Sequence, residues 1–168
     1  IVSAIEHESV LEPAARYDGA TVAVNSNGIV LVEELKKCIS DDVALVSVMY
    51  VNNAVGSIQP PRAIVALVAQ VRADRLARGI NMPLYVHTDA CQAGNYLDMQ
   101  VARLGVDLLT INAGKVYGPK QTGALYVRSG VVLTSLLQGG GQESNIRSGT
   151  ENLANIAGFT VAWLAARA

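Results

Sequence analysis

VALVSVMYV (Val43–Val51), PPRAIVALVAQVRADRLARG (Pro60–Gly79) and LYVHT (Leu84–Thr88) follow one another along the chain, and their reading decides the fold class. The outer two are apolar, β-branched runs of strand length. In the middle one, Pro60-Pro61 opens a segment, Ile64 to Arg78, whose apolar residues recur at helical spacing. Its Arg and Asp residues mark a wet face, and Gly79 is its stop. Strand, amphipathic helix, strand is the unit of a parallel sheet joined by crossover helices. Working outward, the same alternation predicts strands at Ile1–Ile5, Thr21–Val24, Leu108–Ile111 and Ala124–Val127. It also predicts a helix from Val30 to Ile39, entered by an Asn-Ser-Asn-Gly turn, and a last helix from Asn152 to Ala168 that carries Trp163. The expected fold is α/β, a mostly parallel sheet flanked by helices, within one domain.

The composition excludes several function classes. The chain is 51% hydrophobic and only 16% charged, against roughly 25% charged in an average soluble domain, so much of its surface is expected to be covered. A net charge of -1 without a basic run lacks the electrostatic footprint of a nucleic-acid or anionic-membrane binder. No apolar run approaches the roughly 18 residues of a membrane span, and the expected location is cytoplasmic. Cys38 and Cys91 have no metal-ligand spacing, so reduced thiols and no metal site are expected. The chain opens on the apolar strand from Ile1 without an initiator Met, which predicts a fragment whose natural start lies upstream.

In open α/β sheets, ligands bind beyond the carboxyl ends of the strands, so the polar residues there are the ones to weigh. Lys115 lies in INAGKVYGPKQTG (Ile111–Gly123), where a partly desolvated amine becomes nucleophilic toward an aldehyde. The competing reading is a solvated loop lysine, and Lys120 is a decoy in the same loop. Asp89 ends an apolar strand and needs a positive partner: an Arg, a capped helix N-terminus, or a protonated pyridine nitrogen. Gln92, three residues on, is either a donor to a phenolate oxygen of such a ring or a polar helix residue. His7, in EHES (Glu6–Ser9), is either a surface histidine at a helix start or an imidazole stacked on a flat ring. Asn52 and Asn53 follow the third strand. His87, inside an apolar strand, reads as a satisfied core histidine. GGGQESNIRSGTEN (Gly139–Asn152) is either an anion-binding glycine-rich segment or a flexible loop in which Thr150 caps the last helix.

Taken in order, these segments resemble the cysteine desulfurases of the class V aminotransferase group, along nearly the whole chain. VNNAVG (Val51–Gly56) is similar to the family's V-N-N-E-I-G, HTDACQ (His87–Gln92) to its H-x-D-A-x-Q, and Lys115 to Lys120 to its K-x-Y-G-P-K. Gly139–Asn152 is similar to G-G-G-Q-E followed by R-S-G-T-E-N. The resemblance implies the large domain of a fold-type I pyridoxal-phosphate enzyme. In it Lys115 holds pyridoxal 5'-phosphate as a Schiff base and moves protons between substrate and cofactor carbons. It further implies that Asp89 pairs with the ring nitrogen, Gln92 bonds the phenolic oxygen and His7 stacks over the ring. Asn53 would contact cofactor or substrate carboxylate, and Thr150 the cofactor phosphate of the other subunit of a homodimer. The implied reaction takes sulfur from L-cysteine as an enzyme persulfide, leaves alanine and passes the sulfur to an acceptor protein, for iron-sulfur clusters or tRNA thiolation.

Departures from the pattern are specific. Gly114 stands where the family often has His or Ser, Asn112 where it often has a phosphate-binding Ser, Ser144-Asn145 where Arg-Gly is usual, and Ala54 in place of Glu. By the same resemblance residues 1–168 are a partial large domain, with the upstream phosphate loop and the downstream small domain, which carries the persulfide cysteine, outside them. Such a fragment alone is expected to be inactive, and neither Cys38 nor Cys91 matches the mobile-loop nucleophile. The alternatives are another class V reaction, such as selenocysteine lysis or an aminotransferase step, and a non-catalytic remnant that serves as an interaction module.

Overall fold

The structure, a computed structural model, describes residues 1–167. Ala168, the end of the expected last helix, lies outside the described residues. The strands are β1 (Val2–Ser3), β2 (Thr21–Val22), β3 (Leu45–Ser47), β4 (Tyr85–Asp89), β5 (Leu108–Asn112) and β6 (Gly123–Val127). They form one sheet in the order β2-β1-β3-β4-β5-β6, parallel throughout except that β6 runs antiparallel to β5. The helices are α1 (Glu8–Ala14), α2 (Val32–Cys38), α3 (Pro61–Ala77), α4 (Val101–Leu104) and α5 (Leu153–Ala165). The α/β, mostly parallel reading therefore holds, and all six expected strands are present, several of them shorter.

The shortening has local causes. The chain leaves β1 after Ser3 because Glu6 turns back on it: its amide donates to Ser3 O and its carboxyl accepts from the Ser3 hydroxyl. The helix expected from Val30 begins at Val32, since Val30 instead bridges back to Val24 across the Asn25–Gly28 turn. Beyond β3 the ladder bonds persist, with Val48 N donating to His87 O and Tyr50 N to Asp89 O. The short helices α1 and α4 are additions to the expected set. α3 ends as its Gly79 predicts: Gly79 has φ +74, its amide donates to Leu76 O, and Ile80 N donates to Arg75 O, the Schellman pattern.

The main core joins Val46, Val48 and Val86 of the sheet region to Ile64, Leu67 and Val68 of α3, with Leu35 of α2 and Leu104 of α4. The wet face assigned to α3 needs one correction. Arg75 is 1% exposed, and its guanidinium donates to the carbonyls of Ser40, Val43 and Met82, tying the α2–β3 and α3–β4 loops to the helix. A second apolar cluster sets Phe159 of α5 against Ala113 and Val116 of the lysine segment, with Trp163 beside it.

Candidate functional site

β4 and β5 are paired so that Asp89 lies opposite Thr110, and both strands deliver polar residues to the same carboxyl edge. Asp89 is the last residue of β4, on the face that also carries Tyr85 and His87. Its Oδ1 accepts the Cys91 amide at 2.9 Å. No ion pair among the described residues reaches Asp89, so the arginine partner weighed from sequence is not there.

Lys115 ends a 3-10 turn, Ala113–Lys115, directly after β5. Asn112 caps that turn by accepting the Gly114 amide at 2.8 Å, and Asn95, from the turn after β4, donates to Lys115 O at 2.9 Å. The turns that follow Asp89 and precede Val116 are thus bonded to each other. Lys115 is exposed and, like Asp89, in no ion pair among the described residues. The Cys91 thiol is within electrostatic reach of both. Burial first, then hydrogen bonding to Asp89 and its negative charge, push that thiol far up, and the Lys115 charge opposes this. A thiol so held is not a nucleophile.

α5 holds the lysine segment from the other side, and it does so with small residues. A Cβ on Gly158 would come 2.7 Å from Pro119 Cγ, and one on Gly94 would come 2.8 Å from Val116 Cγ1 and 2.9 Å from Trp163 Cζ3. Beyond Lys115, Tyr117 and Gln121 both adopt φ +61, a left-handed conformation that disfavours side chains and bends the loop sharply back toward β6.

The remaining expected residues fall in three places. Asn53 and Gln92 line one open cleft of about 510 Å³ between the Val51–Ile58 hairpin and the turn after β4. Asn52 is structural: it is buried, its Oδ1 accepts the Ala54 and Val55 amides and its Nδ2 donates to Ile5 O. His7 follows β1 as the exposed N-cap of α1, with Nδ1 accepting the Ser9 amide at 3.1 Å. Thr150 is exposed in the glycine-rich segment and does not cap α5. That role belongs to Asn152, whose side chain accepts the Asn155 amide at 3.2 Å. The segment also closes on itself, with Gly149 N donating to Gln142 Oε1 and residues 143–145 all at positive φ.

His87 is the core histidine its strand position predicts. Its Nδ1 meets Ser47 Oγ at 2.8 Å and its Nε2 meets Thr110 Oγ1 at 2.9 Å, and burial holds its pKa below the usual imidazole range. Sequence reasoning gave no role to Glu6. Its signal was an acid at the end of an apolar strand, beside His7. Glu6 is 6% exposed, its Oε1 accepts from Ser3 Oγ and, at 2.6 Å, from Met49 N, and its Oε2 has no partner among the described residues. Burial is the main reason its pKa rises to about 7, and the nearby Asp89 adds to the rise.

The fold defines an open, mostly parallel α/β protein whose polar strand ends gather at one edge. Residues 1–166 match the family model described as aminotransferase class-V, and the chain belongs to that family. Among curated proteins it is similar to the cysteine desulfurase IscS of Dictyoglomus turgidum, 39% identical over 164 residues, 95% of this chain and 39% of that protein. The cysteine desulfurase IscS of Clostridium botulinum is 40% identical over 164 residues, 95% of this chain and 38% of that protein. Among solved structures, a NifS-like protein superposes with a TM-score of 0.87 at 36% identity, over 99% of this chain and 45% of that one. The structure described as SspA in complex with cysteine gives 0.87 at 31% identity, over 97% and 46%. The chain spans less than half the length of each of these proteins. No helix among the described residues is long and apolar enough to cross a membrane.

Proposed function

We propose that the chain is the cofactor-binding part of a pyridoxal-phosphate-dependent cysteine desulfurase, with L-cysteine as substrate of the whole protein. The observation that carries the reading is the pair Lys115 and Asp89. An amine and a carboxylate, each without an ion-pair partner among the described residues, lie at the ends of neighbouring strands whose following turns are bonded together. That arrangement fits a small aromatic ring with an aldehyde on one side and a basic nitrogen on the other. The named relatives are cysteine desulfurases, and one structural neighbour is described in complex with cysteine.

Each residue then has a task. Lys115 would hold the cofactor through its aldehyde carbon and would move protons to and from the reacting substrate carbon. Asp89 keeps a proton on the ring nitrogen, with its Oδ1 oriented by the Cys91 amide. Gln92 would donate to the phenolic oxygen, Asn53, which lines the same cleft as Gln92, would reach the cofactor or the substrate carboxylate, and His7 would cover the ring face. Thr150, on its exposed segment, serves the cofactor phosphate of a second subunit in a homodimer, and the released sulfur goes to an acceptor protein. When bound, the cofactor supplies an electron sink for the bonds broken at the amino acid's carbons. The phosphate contacts differ from the family pattern at Asn112, whose side-chain oxygen is engaged by Gly114 N.

The test is direct. The full-length protein loaded with pyridoxal phosphate and treated with borohydride is expected to carry the reduced adduct on Lys115, located by peptide mass spectrometry, and to release alanine from cysteine. An adduct that persists at the same yield in Lys115→Ala, or on Lys120, contradicts the assignment.

A further inference from the structure

Glu6 is a buried acid between β1 and the segment after β3, with one oxygen in use and, among the described residues, one not. Oε1 takes two donors, Ser3 Oγ from β1 and Met49 N from the segment after β3. Oε2 is buried with no partner among the described residues, and a carboxyl oxygen out of water without a donor disfavours the charged form strongly. The same segment that Glu6 holds at Met49 also runs beside the end of β4, because Tyr50 N donates to Asp89 O at 2.8 Å. Burial is the main reason Glu6 resists ionisation, and Asp89, within electrostatic reach, adds to it. The other titratable groups around Asp89 are His87, whose protonation Asp89 favours, and the Cys91 thiol, which also feels the Lys115 charge.

We propose that Glu6 is a positioning residue that acts through Asp89: it is a second acid across the Met49–Tyr50 backbone from the ring-nitrogen anchor, and its charge state sets how strongly that anchor holds a cationic ring. With Glu6 protonated, Asp89 alone faces the ring nitrogen. With Glu6 ionised, two negative charges lie on that side and the hold tightens. The change falls in the neutral range, because burial and Asp89 together lift Glu6 to about 7. This inference rests on the reading of Asp89 given above.

The experiment measures retention of pyridoxal phosphate by the full-length protein against pH, from about pH 5 to about pH 9, by absorbance and by equilibrium dialysis. Glu6→Gln keeps the shape and an acceptor for Ser3 and Met49 and is neutral at every pH, and thermal unfolding of the variant confirms its folding. The expected result is wild-type retention at the acid end and about tenfold weaker retention at the alkaline end. Ser3→Ala, which keeps the acid and removes a donor to it, is expected to move the onset of the tightening to higher pH. A Glu6→Gln defect of equal size at every pH shows a purely structural role and overturns the inference, as does no defect at any pH or an unmoved onset in Ser3→Ala. Asp89→Asn separates the two levels. If it binds as wild type at every pH, the ring-nitrogen reading itself falls; if it binds weakly while Glu6→Gln matches wild type, only the Glu6 inference does.

Discussion

The carboxyl of Glu6 is buried just after β1, where among the described residues one oxygen takes two donors and the other none, and this makes it a stability switch as well as a neighbour of the site. Its folded-state pKa, about 7, lies above the ordinary 4.5, so the folded state binds the proton more tightly than the unfolded chain does. Its contribution is fully present below about pH 4.5 and is lost as the pH rises through about 7, where ionisation costs the folded state roughly 3 kcal/mol. In chemical unfolding of the cofactor-free full-length protein, Glu6→Gln is expected to gain on wild type by about that amount between these limits, on top of any constant offset. A difference that stays flat with pH would show that Glu6 is ionised or hydrated in the fold. Residues of this kind were only half legible in the sequence. His87 was readable as a core histidine because a lone polar residue in an apolar strand must be bonded, and Ser47 and Thr110 do that. Glu6 was not, because the backbone it bonds to, at Met49 after β3, is some forty residues away in the chain.

Among the elements, α5 has the most specific fit. It rests Phe159 and Trp163 on the segment that carries Lys115, the two rings meeting edge to face with centroids 6.1 Å apart. The contact needs glycine where the turn after β4 passes Trp163. Gly94→Ala would place a methyl 2.8 Å from Val116 and 2.9 Å from Trp163, and the expected loss is about 1–3 kcal/mol by thermal unfolding, with a change in Trp163 fluorescence. Stability and fluorescence both unchanged would mean that α5 does not seat there. The broad apolar character of this helix was evident from composition, and the place where it docks was not. The other side of α5 is apolar too, with Leu153, Val161 and Leu164 exposed. α3 shows the complementary limit: its length and its Gly79 stop were readable from spacing, whereas Arg75, which pattern alone assigns to the wet face, is enclosed by the carbonyls of Ser40, Val43 and Met82.

Across the whole molecule the two edges of the sheet have different work. At the amino edge, Asp107 before β5 is buried between Arg72 of α3 and Arg128 after β6, and its Oδ2 also accepts the Val86 amide at 2.7 Å. At the carboxyl edge, Lys115 and Asp89 have no such partners among the described residues. Stability and chemistry are therefore separable. Asp107→Ala is expected to cost about 2–3 kcal/mol, less than a fully enclosed pair because both guanidinium groups are partly exposed, while Lys115→Ala shifts unfolding by no more than about 0.5 kcal/mol. Equal losses in denaturant unfolding of the two variants would contradict this division. The sequence by itself determined the α/β class, the order of the main elements and the residues that end the strands, because hydrophobic period and turn chemistry are local properties of the chain. Only the tertiary structure decided which of those ends meet. Burial, unpaired charge and the proximity of Glu6 to Asp89 depend on strand order and register, and these are set by packing between segments far apart in the chain.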